Sequence, residues 1–103
     1  MYVGFTTMSN IFSIVTKEYD DGWNVIERRL FDDEEKACFK SCKIVPSEYG
    51  YSACFIMQNN RKRYIPLSRD SREVTAGETV DFNTAEILVL ERDGEIIPRL
   101  EIK

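Results

Sequence analysis

The chain has 103 residues, a formal net charge of −4, 43% hydrophobic residues and no histidine. This composition is typical of a single globular domain and excludes a disordered chain. No run reaches the roughly 20 apolar residues that a membrane helix needs. Residues 1–16 show no signal-peptide pattern, so we expect a cytoplasmic protein with no membrane partner. We expect one domain over residues 1–103, with residues 1–8 as a loosely held leader.

The first predicted element is a β-hairpin. Phe12–Tyr19 and Trp23–Phe31 are rich in β-branched and aromatic residues, and they flank the turn sequence Asp20-Asp21-Gly22. Two acids followed by a glycine supply the positive φ that a tight hairpin needs. The first 31 residues of the sequence therefore predict two paired strands.

A helix is predicted next, over about residues 33–43. Asp32 is a suitable N-cap, Glu35 stands at capping-box spacing from it, and the acids between them complement the helix dipole. Pro46 ends the segment. At i, i+4 and i+7 spacing, three lysines would share one face of this helix: Lys36, Lys40 and Lys43.

A second hairpin is predicted in the middle of the chain. Tyr51–Gln58 and Arg61–Ser68 flank Asn59-Asn60, and asparagine tolerates the left-handed conformation that a two-residue loop requires. That loop places Phe55 opposite Tyr64, and a four-residue loop would shift the pairing but leave each residue on the same face. One face would then carry two tyrosines, a phenylalanine and a lysine: Tyr51, Phe55, Lys62 and Tyr64.

The strongest hairpin signal is Asp93-Gly94, between Ala85–Arg92 and Glu95–Ile102. This turn pairs Arg92 with Glu95, and both faces of the strand pair carry apolar residues, as is typical of buried strands. A short strand is also predicted over Thr79–Phe82. The fold class is therefore α+β and mainly β: a small, strongly bent sheet or partly open barrel of about six to seven short strands with one helix.

Charge is distributed unevenly along this fold. Residues 1–35 and 73–103 each carry a net charge of −5, whereas residues 36–72 carry +6. The central segment holds eight cations and only two acids, Glu48 and Asp70. A basic centre between acidic ends creates a local field that the net charge conceals. Function therefore depends on whether these eight cations meet in space.

The residue types present argue against catalysis, and we expect neither an enzyme nor a cofactor. Without histidine, Ser-His-Asp and Cys-His arrangements are excluded, and there is no glycine-rich phosphate-binding loop. The acids Asp20-Asp21 and Asp32–Glu35 are explained by a turn and a helix start. The three cysteines, an odd number in a chain without an export signal, are expected to be reduced thiols: Cys38, Cys42 and Cys54. Structural zinc usually takes four Cys or His ligands, so we expect no metal site.

The most specific positive signal is for a non-catalytic protein that binds single-stranded nucleic acid. Single strands are held by aromatic side chains that stack on bases, beside cations that follow the phosphates. The central hairpin combines both residue types, and the predicted lysine face extends it. The candidate binding residues are Arg61, Lys62, Arg63, Tyr64, Tyr51, Phe55, Lys36, Lys40, Lys43, Arg69 and Arg72.

The alternative is a protein-interaction module, such as an adaptor, inhibitor or small assembly subunit. Its basic segment would dock on an acidic partner or on another copy of the chain, with Tyr19, Trp23 and Tyr49 as anchors. The same residues also have structural explanations. A Phe–Tyr cross-strand pair is ordinary sheet packing, and cations on an edge strand discourage pairing between molecules. The acidic total also opposes long-range attraction to polyanions.

Overall fold

The computed structural model describes residues 12–13, 17–48 and 50–103. Most of these residues lie in strands, and a 3₁₀ turn spans Asp20–Gly22. In this part of the chain there is no helix long and apolar enough to cross a membrane. In chain order the elements are β1 Phe12–Ser13, β2 Lys17–Glu18, β3 Asn24–Leu30, α1 Asp33–Cys38, β4 Phe39–Ser47, β5 Gly50–Met57, β6 Lys62–Pro66, β7 Ala85–Arg92 and β8 Glu95–Ile102.

The strands form two antiparallel sheets. The large sheet has the order β1-β3-β7-β8, with β2 also paired to β3, and the small sheet has the order β4-β5-β6. The sheets meet where Leu67 forms a parallel bridge with Leu100, and apolar side chains from both fill one core between them. The mainly β α+β fold is thereby confirmed, with its strands divided between two sheets.

Four phenylalanine rings lie together in this core. Their centroids are separated by 4.9 to 6.2 Å, the range in which aromatic pairs attract one another. The rings come from the end of β3, the start of β4, the middle of β5 and the segment before β7, so the cluster ties the two sheets together. Its members are Phe31, Phe39, Phe55 and Phe82.

The first and last hairpins follow the sequence prediction. Strands β1 and β2 pair with β3 across the 3₁₀ turn. In the last hairpin Arg92 lies opposite Glu95, and Asp93 and Gly94 have positive φ angles of 49° and 85°. Two consecutive residues with positive φ match the twist of the flanking strands, which is why the Asp-Gly sequence specifies this turn. Both faces of β7 are buried, as predicted, whereas β8 is only partly buried and its Ile96 is 60% exposed.

The helix begins as predicted but ends earlier. Asp32 Oδ1 accepts from the Glu35 amide at 2.7 Å and Glu35 Oε1 accepts from the Asp32 amide at 3.3 Å, which completes the capping box. The prediction of a helix through Lys43 is wrong, because the chain turns into β4 after Cys38. Strand β4 pairs with β5, and this pairing outweighs the weak preference of a short helix. The three lysines of the predicted helical face are therefore divided between helix and strand.

The register of the β5–β6 hairpin also differs from the prediction. Phe55 lies opposite Arg63, and Tyr64 lies opposite Cys54. The loop has three residues because the Met57 amide donates to the Arg61 carbonyl at 2.8 Å. Asn60, with φ 66°, takes the left-handed position that such a loop requires. A shift of one residue turns every side chain of β6 to the other face of the sheet.

The predicted strand over Thr79–Phe82 is reduced to an isolated bridge between Thr79 and Lys43. Two backbone hydrogen bonds of 2.9 Å, from Ile44 to Glu78 and from Val80 to Cys42, hold this segment against β4. One edge of the small sheet is therefore covered by backbone, whereas β6 forms its other edge.

Candidate functional site

The end of the small sheet beside the β5–β6 loop carries five exposed cations. Lys62 and Arg63 lie opposite Ile56 and Phe55, and Lys43 lies opposite Cys54 one row further along. Lys43 and Lys62 therefore share one face of the sheet, whereas Arg63 belongs to the face of Phe55 at the exposed edge strand. Lys40 occupies the bulge in β4, and Arg61 is the last residue before β6. We call this group the cation end: Lys40, Lys43, Arg61, Lys62 and Arg63.

Hydrogen bonds fix the loop that presents these cations. Lys40 Nζ donates to Asn60 Oδ1 at 2.8 Å, and the Arg61 amide donates to Asn59 Oδ1 at 3.0 Å. Gln58 joins the loop to the end of α1, since its amide donates to the Cys38 carbonyl at 2.9 Å. The helix that was predicted to carry the lysines thus supports the loop beside them instead.

The cation end has no compensating negative charge nearby in the sheet. None of its five members forms an ion pair with a residue in the described ranges. Glu48 is the one acid in residues 39–67, and it lies in the β4–β5 turn at the opposite end of the sheet. The cations lie on β4, on β6 and in the loop, and β5 between these two strands carries no charged residue. The cation end is therefore a region of uncompensated positive charge that an anionic ligand could bind.

The three predicted aromatic residues do not form one platform. Phe55 is 0% exposed in the phenylalanine cluster, so it cannot stack on a base, and its prediction as a binding residue is wrong. Tyr64 is 57% exposed on the opposite face because of the shifted register. Tyr51 is 41% exposed but lies at the other end of the sheet, where β5 begins. Of the three, Tyr64 alone lies beside the cation end.

Tyr64 belongs to the outer face of the small sheet, which points away from the phenylalanine core. Lys43, Cys54 and Tyr64 lie side by side across its three strands. Ser41, Ile56 and Lys62 form the next row towards the loop, with Ile56 half-buried. This face therefore combines an exposed aromatic ring, two lysines and apolar surface.

Three other predicted cations lie away from the cation end. Lys36 Nζ donates to Asn83 Oδ1 at 3.1 Å. Arg72 forms an ion pair with Glu78, and the hydrogen bond from Arg72 lowers the pKa of the Glu78 carboxyl. Arg69 lies with its guanidinium 5.2 Å from the centre of the Tyr19 ring. The eight central cations thus do not form one surface.

A groove of about 530 Å³ lies at the opposite end of the small sheet, against the large sheet. Its lining includes Tyr51 and Pro66 of the small sheet together with Tyr19 and Trp23, which flank the 3₁₀ turn. Tyr19 and Trp23 are half-buried and pack against apolar residues of β3 and β7. The sequence indicated Tyr19 and Trp23 as anchors for a partner, but nothing in it predicted that Tyr51 would lie in the same groove. Tyr49, the third predicted anchor, lies outside the described residues.

The outer face of the large sheet carries a separate group of ion pairs. Arg28 Nη1 contacts carboxylate oxygens of both Glu86 and Glu101, the latter at 2.6 Å, and Lys103 Nζ lies 2.8 Å from Glu86. Burial alone would lower the pKa of Arg28, but its bonds to Glu101 and Glu86 raise it instead. These charges satisfy one another and hold the strands together.

The cysteines are free thiols, as expected. Cys38 is exposed, whereas Cys42 and Cys54 are buried, and burial raises the pKa of Cys42 to about 12. A thiol with so high a pKa remains protonated and unreactive near neutrality. Across residues 12–13, 17–48 and 50–103, no three cysteine, aspartate or glutamate side chains are grouped as metal ligands would be.

Comparison with known proteins gives no assignment, since no family model, curated protein or solved structure matches the chain. The surface itself must therefore support any proposal about function.

Proposed function

We propose that this protein is a non-catalytic binding protein that holds single-stranded nucleic acid at the cation end, with the strand continuing over the outer face of the small sheet. The observation that carries the proposal is the cation end, where five cations lie together without an ion-pair partner in the described ranges. Cations of this kind bind phosphates by charge and release counterions as they do so. No particular base sequence is needed for that attraction.

The outer face favours a single strand over a duplex. Tyr64 offers an exposed ring next to Lys62 on β6 and across β5 from Lys43, and Ile56 adds apolar surface beside it. Unstacked bases pack on exposed aromatic rings, and open sheet faces are used in this way by single-strand-binding domains. A duplex keeps its bases stacked inside and would leave Tyr64 without a role.

The overall charge of −4 does not oppose this proposal at short range. Exposed charges separated by more than about 8 Å are largely screened at physiological salt. Glu48, the one acid of residues 39–67, lies at the far end of the small sheet. Thr79, which bridges Lys43, is flanked by Glu78 and Asp81, and Glu78 forms an ion pair with Arg72. The attraction of a phosphate to the cation end is therefore a short-range one.

Titration of a fluorescent oligothymidine of about a dozen nucleotides tests the proposal, with fluorescence anisotropy as the readout. We expect binding at low salt and a linear fall of log K with log salt concentration. If all five cations contact phosphates, the slope approaches roughly −3.5, at about −0.7 per phosphate neutralised on a single strand. Absence of binding at low salt, or an affinity independent of salt, would overturn the proposal.

Charge reversal locates the binding surface. The double variant Arg61→Glu/Arg63→Glu should weaken binding at low salt by roughly tenfold or more, with a shallower salt slope. A matched pair of single variants supplies the control. Arg63→Glu and Arg72→Glu change the net charge equally, but Arg72 is already held by Glu78. Equal losses in the two single variants would show that net charge, rather than the cation end, determines affinity.

A further inference from the structure

We propose that the groove between the two sheets, lined by Tyr19, Trp23 and Tyr51, receives an unstacked base from one end of the bound strand. This inference rests on the proposed function, because the groove lies where the outer face of the small sheet ends. Ser52 and Pro66 are directly opposite each other on that face, and both also line the groove. The surface that begins at the cation end thus continues into the groove.

The distance between the two regions suits a short nucleic-acid strand. The row that contains Lys62 is four residues from the row that contains Pro66, which corresponds to roughly 13 Å along the strand. Tyr64 lies between these rows on the same face of β6. A strand that follows β6 from the cation end would pass Tyr64 and then reach the groove.

The groove has the side chains that recognise a base. Tyr51 provides an exposed aromatic ring, and the hydroxyl groups of Ser47 and Ser52 provide hydrogen-bonding groups. Tyr19 and Trp23 line the groove with rings that Arg69 and Arg92 already cover on one side, at 5.2 and 4.5 Å from the ring centres. Its volume of about 530 Å³ lies within the roughly 300–1,000 Å³ of small-molecule sites. Aromatic rings contribute through stacking on the flat faces of bases, which every base has.

The charges around the groove favour a base over a phosphate. Arg69 and Arg99 line it, but so do the acids Asp21 and Glu48. Two cations and two acids leave the lining without a net positive charge, in contrast to the cation end. Carboxylates repel phosphate but accept hydrogen bonds from the amino groups of bases. The phosphates of the strand therefore bind at the cation end, and one base binds in the groove.

Trp23 makes the groove directly observable, since it is the one tryptophan in the chain. Titration of the full-length protein with an unlabelled oligonucleotide of mixed sequence should change the intensity of tryptophan emission. The change should saturate at the same concentration as the anisotropy of the labelled strand. Binding by anisotropy with unchanged Trp23 emission would overturn the inference and leave the proposed function standing.

Substitution of Tyr51 tests the stacking contribution. Tyr51→Ala should weaken binding roughly five- to hundredfold, the usual range for loss of one stacked base, with an unchanged salt slope. Tyr51→Phe retains the ring and should restore the affinity. Circular dichroism establishes that both variants are folded. Wild-type affinity in Tyr51→Ala would overturn the inference, whereas failure of the wild-type protein to bind any oligonucleotide would overturn the proposed function itself.

Discussion

The cation end of the small sheet and the outer face of the large sheet use the same residue types in opposite ways. On the large sheet Arg28 lies between Glu86 and Glu101, whose side chains are only 9% and 12% exposed. At the cation end five exposed cations have no ion-pair partner in the described ranges. An arginine therefore stabilises the fold where acids lie on neighbouring strands, and it remains available to a ligand where they do not.

The pairing of β7 with β8 explains the arrangement on the large sheet. Glu86 lies directly opposite Glu101, and like charges in that position repel. Arg28, on β3, bonds to both carboxylates and removes the repulsion. The small sheet shows the reverse situation, because residues 39–47 and 50–67 contain cations but no acid. An external anion would have the role there that Arg28 has on the large sheet.

The largest effect is expected where the cation end meets the core. Phe55→Ala removes a fully buried ring from the phenylalanine cluster and should lower the free energy of unfolding by about 3–5 kcal/mol. Tyr64→Ala, on the exposed face of the adjacent strand, should change it by less than about 0.5 kcal/mol. Urea denaturation measures both values. Comparable losses in the two variants would contradict the observed register.

A smaller effect separates the two groups of cations directly. Arg28→Met leaves Glu86 and Glu101 facing each other with less compensation, so we expect a loss of roughly 1–3 kcal/mol in unfolding free energy. Arg63→Met should change stability by less than about 0.5 kcal/mol, because Arg63 is exposed and has no ion pair in the described ranges. Oligonucleotide affinity should change in the opposite way, with a loss in Arg63→Met and no loss in Arg28→Met. A loss of both stability and affinity in the same variant would contradict the separate roles of the two regions.

Local signals in the sequence predicted the elements that local chemistry determines. Asp93-Gly94 specified both the last turn and its register, because few other residue pairs accept two positive φ angles. Asp32 and Glu35 located the start of α1 through the capping box. The basic segment 36–72 contains all three strands of the small sheet, although the charge pattern did not predict that sheet.

The elements that the sequence could not specify depend on distant contacts. Phe39–Ser47 becomes a strand because β5 lies beside it, and no residue within that segment shows this in advance. Asn59-Asn60 is compatible with a loop of two or three residues. In the structure the loop has three residues, and Gln58 within it donates hydrogen bonds to carbonyl groups at the end of α1. The groove brings together Tyr19, Trp23 and Tyr51, whose proximity follows from the packing of the two sheets.

Binding at the cation end can be observed residue by residue in an amide chemical-shift map of the isotopically labelled protein titrated with oligothymidine at low salt. We expect the largest shifts at Lys40, Lys43 and Arg61–Tyr64, with smaller shifts extending towards Tyr51. The amide signals of residues around Arg28 and Glu86 on the large sheet should not move, because these charges are already paired. Shifts concentrated around Arg28 and Glu86, or no shifts at all, would show that nucleic acid does not bind at the cation end.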